Sequence, residues 1–324
     1  VTHAGGYSAD PRIRWQEWLP WVVALACFFL LPEYLSLGAR ILIYILFALS
    51  LDLILGYTGI ITLGHSAFFG LGAYVAGILG AKAGITDPFL QIAGAACAGA
   101  ALGLATGAVI LRTRGLTLLM LTLAITSILL EIANKASWLT GGADGLSGVR
   151  VDPILGQFRF DLFGKTAFLY CLAALFIGWW LVRRLIYSPF GAMLTGIREN
   201  AVRMHAVGAP VYRRLVLVYA LSATMAGVAG ALLTQTNQFV GLNVLGFEPS
   251  GELLVMLILG GVGRLYGAFV GPVVYLIAQD ILAKQFPEYW YFGIGALLVL
   301  VVMFARGGLL GIADGILARL RRAA

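Results

Sequence analysis

With 324 residues, 60% of them hydrophobic and only 11% charged, and a mean hydropathy of +0.93, the chain is excluded from the soluble globular class, where charged residues make up about one quarter. A span needs about 20 apolar residues to cross a ~30 Å hydrocarbon core, so this length holds roughly eight to eleven spans and no separate soluble domain. The net charge of +7 comes with no RNA- or DNA-binding signature, and the arginines lie beside apolar runs, where membrane topology explains them.

Arg12 and Arg14 precede an apolar run from Trp18 to Leu31. Pro32-Glu33-Tyr34 follows it in place of a small-residue cleavage site, so the run reads as a first span and not as a signal peptide. Apolar runs between charged or Gly/Pro-rich borders give ten spans, at 18–32, 39–57, 60–81, 89–111, 116–136, 166–186, 212–236, 249–263, 265–283 and 290–306. The first and eighth are short, which suits a tilted, half-inserted or re-entrant segment. The expected fold is all-α and polytopic, with a tail at 1–17, a transmembrane domain at 18–311 and a basic tail at 312–324.

Lys and Arg near span ends favour the cytoplasm. With the N-terminus inside, the cytoplasmic segments collect 15 of the 22 basic residues: Arg12, Arg14, Arg112, Arg114, Arg183, Arg184, Arg198, Arg203, Arg213, Arg214, Arg264, Arg306, Arg319, Arg321 and Arg322. Both termini are then cytoplasmic, and the longest external loop runs over about 137–165, with Asp144, Asp152 and Asp161 balanced by Arg150, Arg159 and Lys165.

Gly99, Gly103 and Gly107, like Ser222, Ala226 and Gly230, recur every four residues and predict close helix packing. LILGYTG at 53–59 with AFFG at 67–70 is echoed, in the same orientation, by LILGGVG at 257–263 with AFVG at 268–271. Both stretches are apolar and Gly-rich, so chance similarity accounts for the echo as well as an internal repeat does. Cys27, Cys97 and Cys171 fall inside spans without metal or disulfide spacing and read as small buried hydrophobes.

No nucleophile with a base, metal cluster or phosphate loop is present, so the chain reads as non-catalytic and without a cofactor. Gly164-Lys165-Thr166 ends like a Walker A loop, but that motif needs glycine where Arg159 stands. His65, flanked by Thr62, Gly64 and Ser66, is either a hydrogen-bonded interior histidine or a substrate contact. Asp52 and Glu131 lie within a turn or two of span ends, from which they can reach the interface, and Glu252 opens the eighth span as a solvated helix start. Thr117, Thr122, Thr126 and Ser127 in the fifth span, and Thr234 to Gln238 at the end of the seventh, could line a polar path or bond their own backbone.

Ser188 to Arg214 is the longest polar interruption. Ser188 suits an N-cap, Pro189 the first helical position, Gly208 the position after the last turn and Pro210 a stop. Met193, Ile197, Ala201 and Met204 then share one face, with Arg198, Glu199, Asn200 and Arg203 displayed around the rest. Such a helix either docks on a soluble partner or lies on the lipid surface.

Several stretches in sequence order resemble the permease subunits of ATP-binding-cassette importers for branched-chain amino acids, in the M-type Liv branch. They are GYTGIITLGHSAFFGLGAYVAGIL (56–79), GLTLLMLTLAITSILLEI (115–132), WLTGGADGLSGV (138–149), the 188–214 segment, LSATMAGVAGALL (221–233), ELLVMLILGGVGRLYGAFVGPVV (252–274) and RGGLLG (306–311). The resemblance implies half of a translocation path in a bacterial inner membrane, paired with a second permease subunit, two ATPase subunits and a periplasmic solute-binding protein. It implies a coupling helix at 188–214, with Arg198, Glu199, Asn200, Arg203 and Gly208 toward the ATPase; the polar residues Thr62, His65, Ser66, Thr122 and Thr126 are the candidates for the substrate path. The strict Glu-Ala-Ala-x-x-x-Gly form is not kept, since Glu199-Asn200-Ala201 is followed by glycine only at Gly208. The implied cargo is a branched-chain or related amino acid. The alternatives are another small solute such as urea, an amide or an aromatic acid in the same architecture, or an ion-coupled secondary transporter.

Overall fold

Helix α2 (Leu35–Thr58), which follows α1 (Leu19–Leu30), is apolar all round, and every residue from Leu42 to Ile54 is buried. A helix without a polar face has to be enclosed by others, and α2 is the post around which the bundle forms. The computed structural model describes residues 15–154, 158, 164–304 and 307–311. The predicted tail residues at 1–14 and 312–324, with Arg12, Arg14, Arg319, Arg321 and Arg322, lie outside the described residues, as do Arg159, Asp161 and Arg306.

The chain continues through α3 (Ser66–Ala81), α4 (Pro88–Ile110), α5 (Leu116–Lys135), the short α6 (Ser137–Thr140), α7 (Lys165–Ile186), α8 (Pro189–Ala206), α9 (Val211–Asn237), α10 (Phe247–Gly260), α11 (Gly267–Gln285) and α12 (Trp290–Phe304). Ten of these overlap the ten expected spans, and among the described residues six, with α2 extended back to Pro32, are long and apolar enough to cross a membrane. The chain is an all-α polytopic membrane protein.

Close packing occurs where the small-residue spacing predicts it. A Cβ at Gly99 would lie 2.7 Å from the Ala223 carbonyl oxygen, and one at Gly103 would lie 2.6 Å from the Ala223 methyl, so α4 and α9 meet backbone to backbone. The other face of α9 carries Ser222, Ala226 and Gly230. Ser222 Oγ donates to the Ser50 carbonyl at 2.5 Å, and Gly230 abuts the Phe69 carbonyl. Cys171 is buried, but Cys97 is exposed on α4, which turns its thiol away from the α9 contact.

Helix polarity and contacts sort the charges to two ends. At one end Tyr212 Oη donates to the Ala108 carbonyl at 2.5 Å, which places the α4 end beside the α9 start. There too Arg183 makes a buried two-pronged bond to Glu17, Nε–Oε2 2.7 Å and Nη2–Oε1 3.3 Å. At the other end the 137–154 segment folds over the α3–α4 turn. Lys82 donates to the Trp138 carbonyl, Asp152 N donates to the Thr86 carbonyl at 2.8 Å, and Leu146 pairs with Val240. Beneath it Tyr170 donates to Gln235 at 3.0 Å, and Gln235 donates to Gln91 at 3.0 Å. Thr234 and Gln235 are thus buried structural groups, whereas Thr236, Asn237 and Gln238 line a cavity with Ser36 and Arg40.

Candidate functional site

Two places bring the predicted residues together. The first lies inside the bundle, where the expected helical span at 60–81 is helical only from Ser66. Gly59, at φ +75°, ends α2, and residues 59–65 turn back into the bundle without helical structure. His65 Nε2 meets Ser50 Oγ at 2.8 Å, eight residues before the end of α2, which is roughly 12 Å deep at 1.5 Å per residue. Non-helical backbone at such depth has to be sheltered by protein. Here Thr122 Oγ1 accepts from Leu63 N at 3.4 Å, Thr62 Oγ1 accepts from Gly64 N at 3.2 Å, and Gly64 lies against the Thr122 carbonyl with no room for a side chain.

The start of α3 also meets the start of α10. Ser66 N donates to Ser250 Oγ, Ser250 Oγ donates to Ser66 Oγ, and Ser66 Oγ donates to the Gly246 carbonyl, each at 2.8 Å. Thr126 Oγ1 donates to the Thr122 carbonyl at 3.1 Å. Thr62, His65, Ser66, Thr122 and Thr126 are therefore gathered in one region, all buried. Ser50 Oγ donates to the Phe47 carbonyl at 2.6 Å, so the His65 ring is the donor in their contact, and it stacks on Phe47 at 5.5 Å. His65 is hydrogen-bonded inside the bundle in this conformation. The sequence pattern does not single out Ser50 or Ser250: Ser50 interrupts an apolar stretch, ILFALSL, whereas Ser250 lies in the polar FEPSGE.

The second place is α8. Ser188 Oγ accepts from Gly191 N at 3.4 Å, Pro189 opens the helix, and Gly208 takes φ +86° after it, as the sequence predicts. The helix is not continuous, however: Asn200 has φ −158° and ψ 94°, and its Oδ1 accepts from Arg203 N at 2.9 Å. An asparagine side chain bonded to the N–H three residues on is an N-cap, so a second short helix starts at Asn200. The expected face of Met193, Ile197, Ala201 and Met204 is split by this break. Gly191, Leu194 and Ile197 are buried in the first half, with Leu194 in a cluster formed by Leu53, Tyr57, Val182, Ile186 and Val218. In the second half Val202 is 75% exposed, and Val207 just beyond it 78%. Met204 folds back onto Gly196, where a Cβ would lie 2.8 Å from its sulfur.

Arg198 is not simply displayed. Its Nη1 donates to the Gly56 carbonyl near the end of α2, and its stem crosses Gly59, where a Cβ would lie 3.3 Å from Arg198 Cγ. Arg198 is nonetheless exposed, as are Glu199, Asn200, Arg203 and Gly208. Asp52, one turn before Gly56, does not reach an interface. It is 1% exposed, and its Oδ1 accepts from Gly263 N at 2.7 Å in the α10–α11 turn. Glu131 is exposed and pairs with Lys135 at 3.3 Å. Glu252 lies in the second turn of α10 and lines a cavity with Glu248, Tyr275 and Tyr291.

Residues 34–302 match the family described as branched-chain amino acid transport system, permease component. The chain belongs to that family. The high-affinity branched-chain amino acid permease LivM of Salmonella typhimurium is 26% identical over 312 residues, 89% of this chain and 73% of its own. The probable branched-chain amino acid permease LivH of Methanocaldococcus jannaschii is 27% identical over 83% of this chain and 87% of its own. The L-arabinose permease AraH of Azospirillum brasilense is 26% identical over 66% of this chain and 63% of its own. No solved structure matches the chain.

Proposed function

We propose that the protein is the permease subunit of an ATP-driven importer for branched-chain or related amino acids. In this reading it forms half of the translocation path in the inner membrane, with both termini cytoplasmic, beside a second permease, two ATPase subunits and a periplasmic binding protein. The second half of α8 docks on an ATPase subunit, and closure of the ATPase pair on ATP displaces α8 as a handle and shifts the bundle between two arrangements.

The observation that carries the coupling reading is the division of α8 at Asn200. One half is seated among α2, α7 and α9, and the other presents Val202, Arg203 and His205 outward at the end where the arginines gather. A helix lying on lipid would turn one continuous apolar face to the membrane, and the break removes that face. Thr62, His65, Ser66, Thr122 and Thr126 are the path candidates. Their side chains are bonded within the protein in this conformation, so solute contact requires α5 to part from residues 59–65.

Replacing Val202 and Arg203 together should lower transport and substrate-stimulated ATP hydrolysis in the reconstituted complex while membrane insertion is kept. Unchanged coupled transport would sink the assignment. A second reading, another small solute carried by the same architecture, is favoured by the likeness to a permease named for L-arabinose. Ligand-binding measurements on the partner solute-binding protein distinguish the two.

A further inference from the structure

Near the α8 end of the bundle, α2 and the α10–α11 turn meet backbone to backbone at Gly56 and Gly263, and the Arg198 side chain reaches them from α8. Gly56 lies against Gly263, Gly263 has φ +76°, and Asp52 Oδ1 takes up the space beside Gly56 where a side chain would stand. That oxygen holds Gly263 N at 2.7 Å, while Arg198 Nη1 holds the Gly56 carbonyl. The second carboxylate oxygen, Asp52 Oδ2, is buried and has no hydrogen-bond partner among the described residues. A buried, unpaired carboxylate oxygen is costly, and it is stabilised chiefly by a cation with hydrogens to give. The guanidinium of Arg198 is such a cation, bound within about one helical turn (~5 Å) of it.

We propose that Asp52 is a positioning residue for coupling, a second station for Arg198. In the arrangement seen here Arg198 rests on the Gly56 carbonyl. When α8 is driven toward the bundle, Arg198 moves onto Asp52 Oδ2 and forms an ion pair that ties α8 to α2 and, through Asp52 Oδ1, to the α10–α11 turn. Movement of α8 then reaches α10, whose first turn bonds the first turn of α3 through Ser250 and Ser66. The ion pair therefore lies between the docking surface and the buried polar cluster. This inference rests on the reading of α8 as the ATPase-coupling helix.

The test uses the complete transporter in proteoliposomes and measures solute moved per ATP hydrolysed. Asp52→Asn keeps an oxygen for Gly263 N and removes the charge; Arg198→Gln keeps a donor for the Gly56 carbonyl and removes the charge. Each single variant should lower the ratio at least fivefold, and the double variant should be no worse than the worse single. A ratio within twofold of wild type for Asp52→Asn, or losses that multiply in the double variant, would overturn the proposal. If Asp52→Asn fails to assemble, Arg198→Lys against Arg198→Gln decides, because both can donate to Gly56 and only lysine keeps the charge. Retention by lysine alone supports the pair, and equal loss overturns it. Substrate-stimulated ATP hydrolysis by the wild-type complex is the control for the coupling reading itself: its absence defeats that reading, while its presence beside an unaffected Asp52→Asn defeats only the ion pair.

Discussion

The two halves of α8 have similar sequences by composition but opposite surroundings. From Pro189 to Glu199 the helix buries Gly191, Leu194 and Ile197 and bonds α2 through Arg198. After Asn200 the chain leaves its side chains largely in the open, with Val202 75% exposed. Polarity alone therefore does not locate a docking surface. An exposed arginine in the first half is tied to the backbone near the end of α2, while an exposed valine in the second half is free to meet another molecule.

Leu194, which is 0% exposed in its cluster, is where a substitution in α8 should cost most. Leu194→Ala removes a packed side chain and should cost about 2–5 kcal/mol, seen as a marked fall in thermal stability in detergent. Asn200→Ala removes the cap of the second half and should cost about 1 kcal/mol; helix amide exchange should rise after residue 200 and stay unchanged before it. Val202→Ser should change stability by less than about 0.5 kcal/mol while weakening recovery of the ATPase partner on co-purification. If Val202→Ser were as destabilising as Leu194→Ala, the halves would not differ in the way described.

Much of this architecture was legible in the sequence, for identifiable reasons. Helix spans follow from apolar length, and their ends agree with the structure within a few residues at Pro88, Leu116, Lys165 and Val211. The glycines of α4 and the caps at Ser188 and Gly208 are local signals, set by backbone sterics and by hydrogen bonds between near neighbours. The break at Asn200 was legible in principle, because asparagine is a strong N-cap, but a continuous 3.6-residue face through Met193, Ile197, Ala201 and Met204 competed with it. The inward turn of residues 59–65 was masked by its apolar composition, IITL, which suits a span as well as a sheltered loop. Asp52 could not be read at all from its neighbourhood, since its partner, Gly263 N, lies 211 residues away.

In the proposed function the half of α8 beyond Asn200, and not the half before it, meets an ATPase subunit. Single cysteines at Val202 and at Leu194, in a background with Cys27, Cys97 and Cys171 replaced, can be cross-linked in membranes holding the whole transporter. Val202→Cys should cross-link to the ATPase subunit and Leu194→Cys should not. A Val202→Cys that labels only lipid, or equal cross-linking from both positions, would contradict that function.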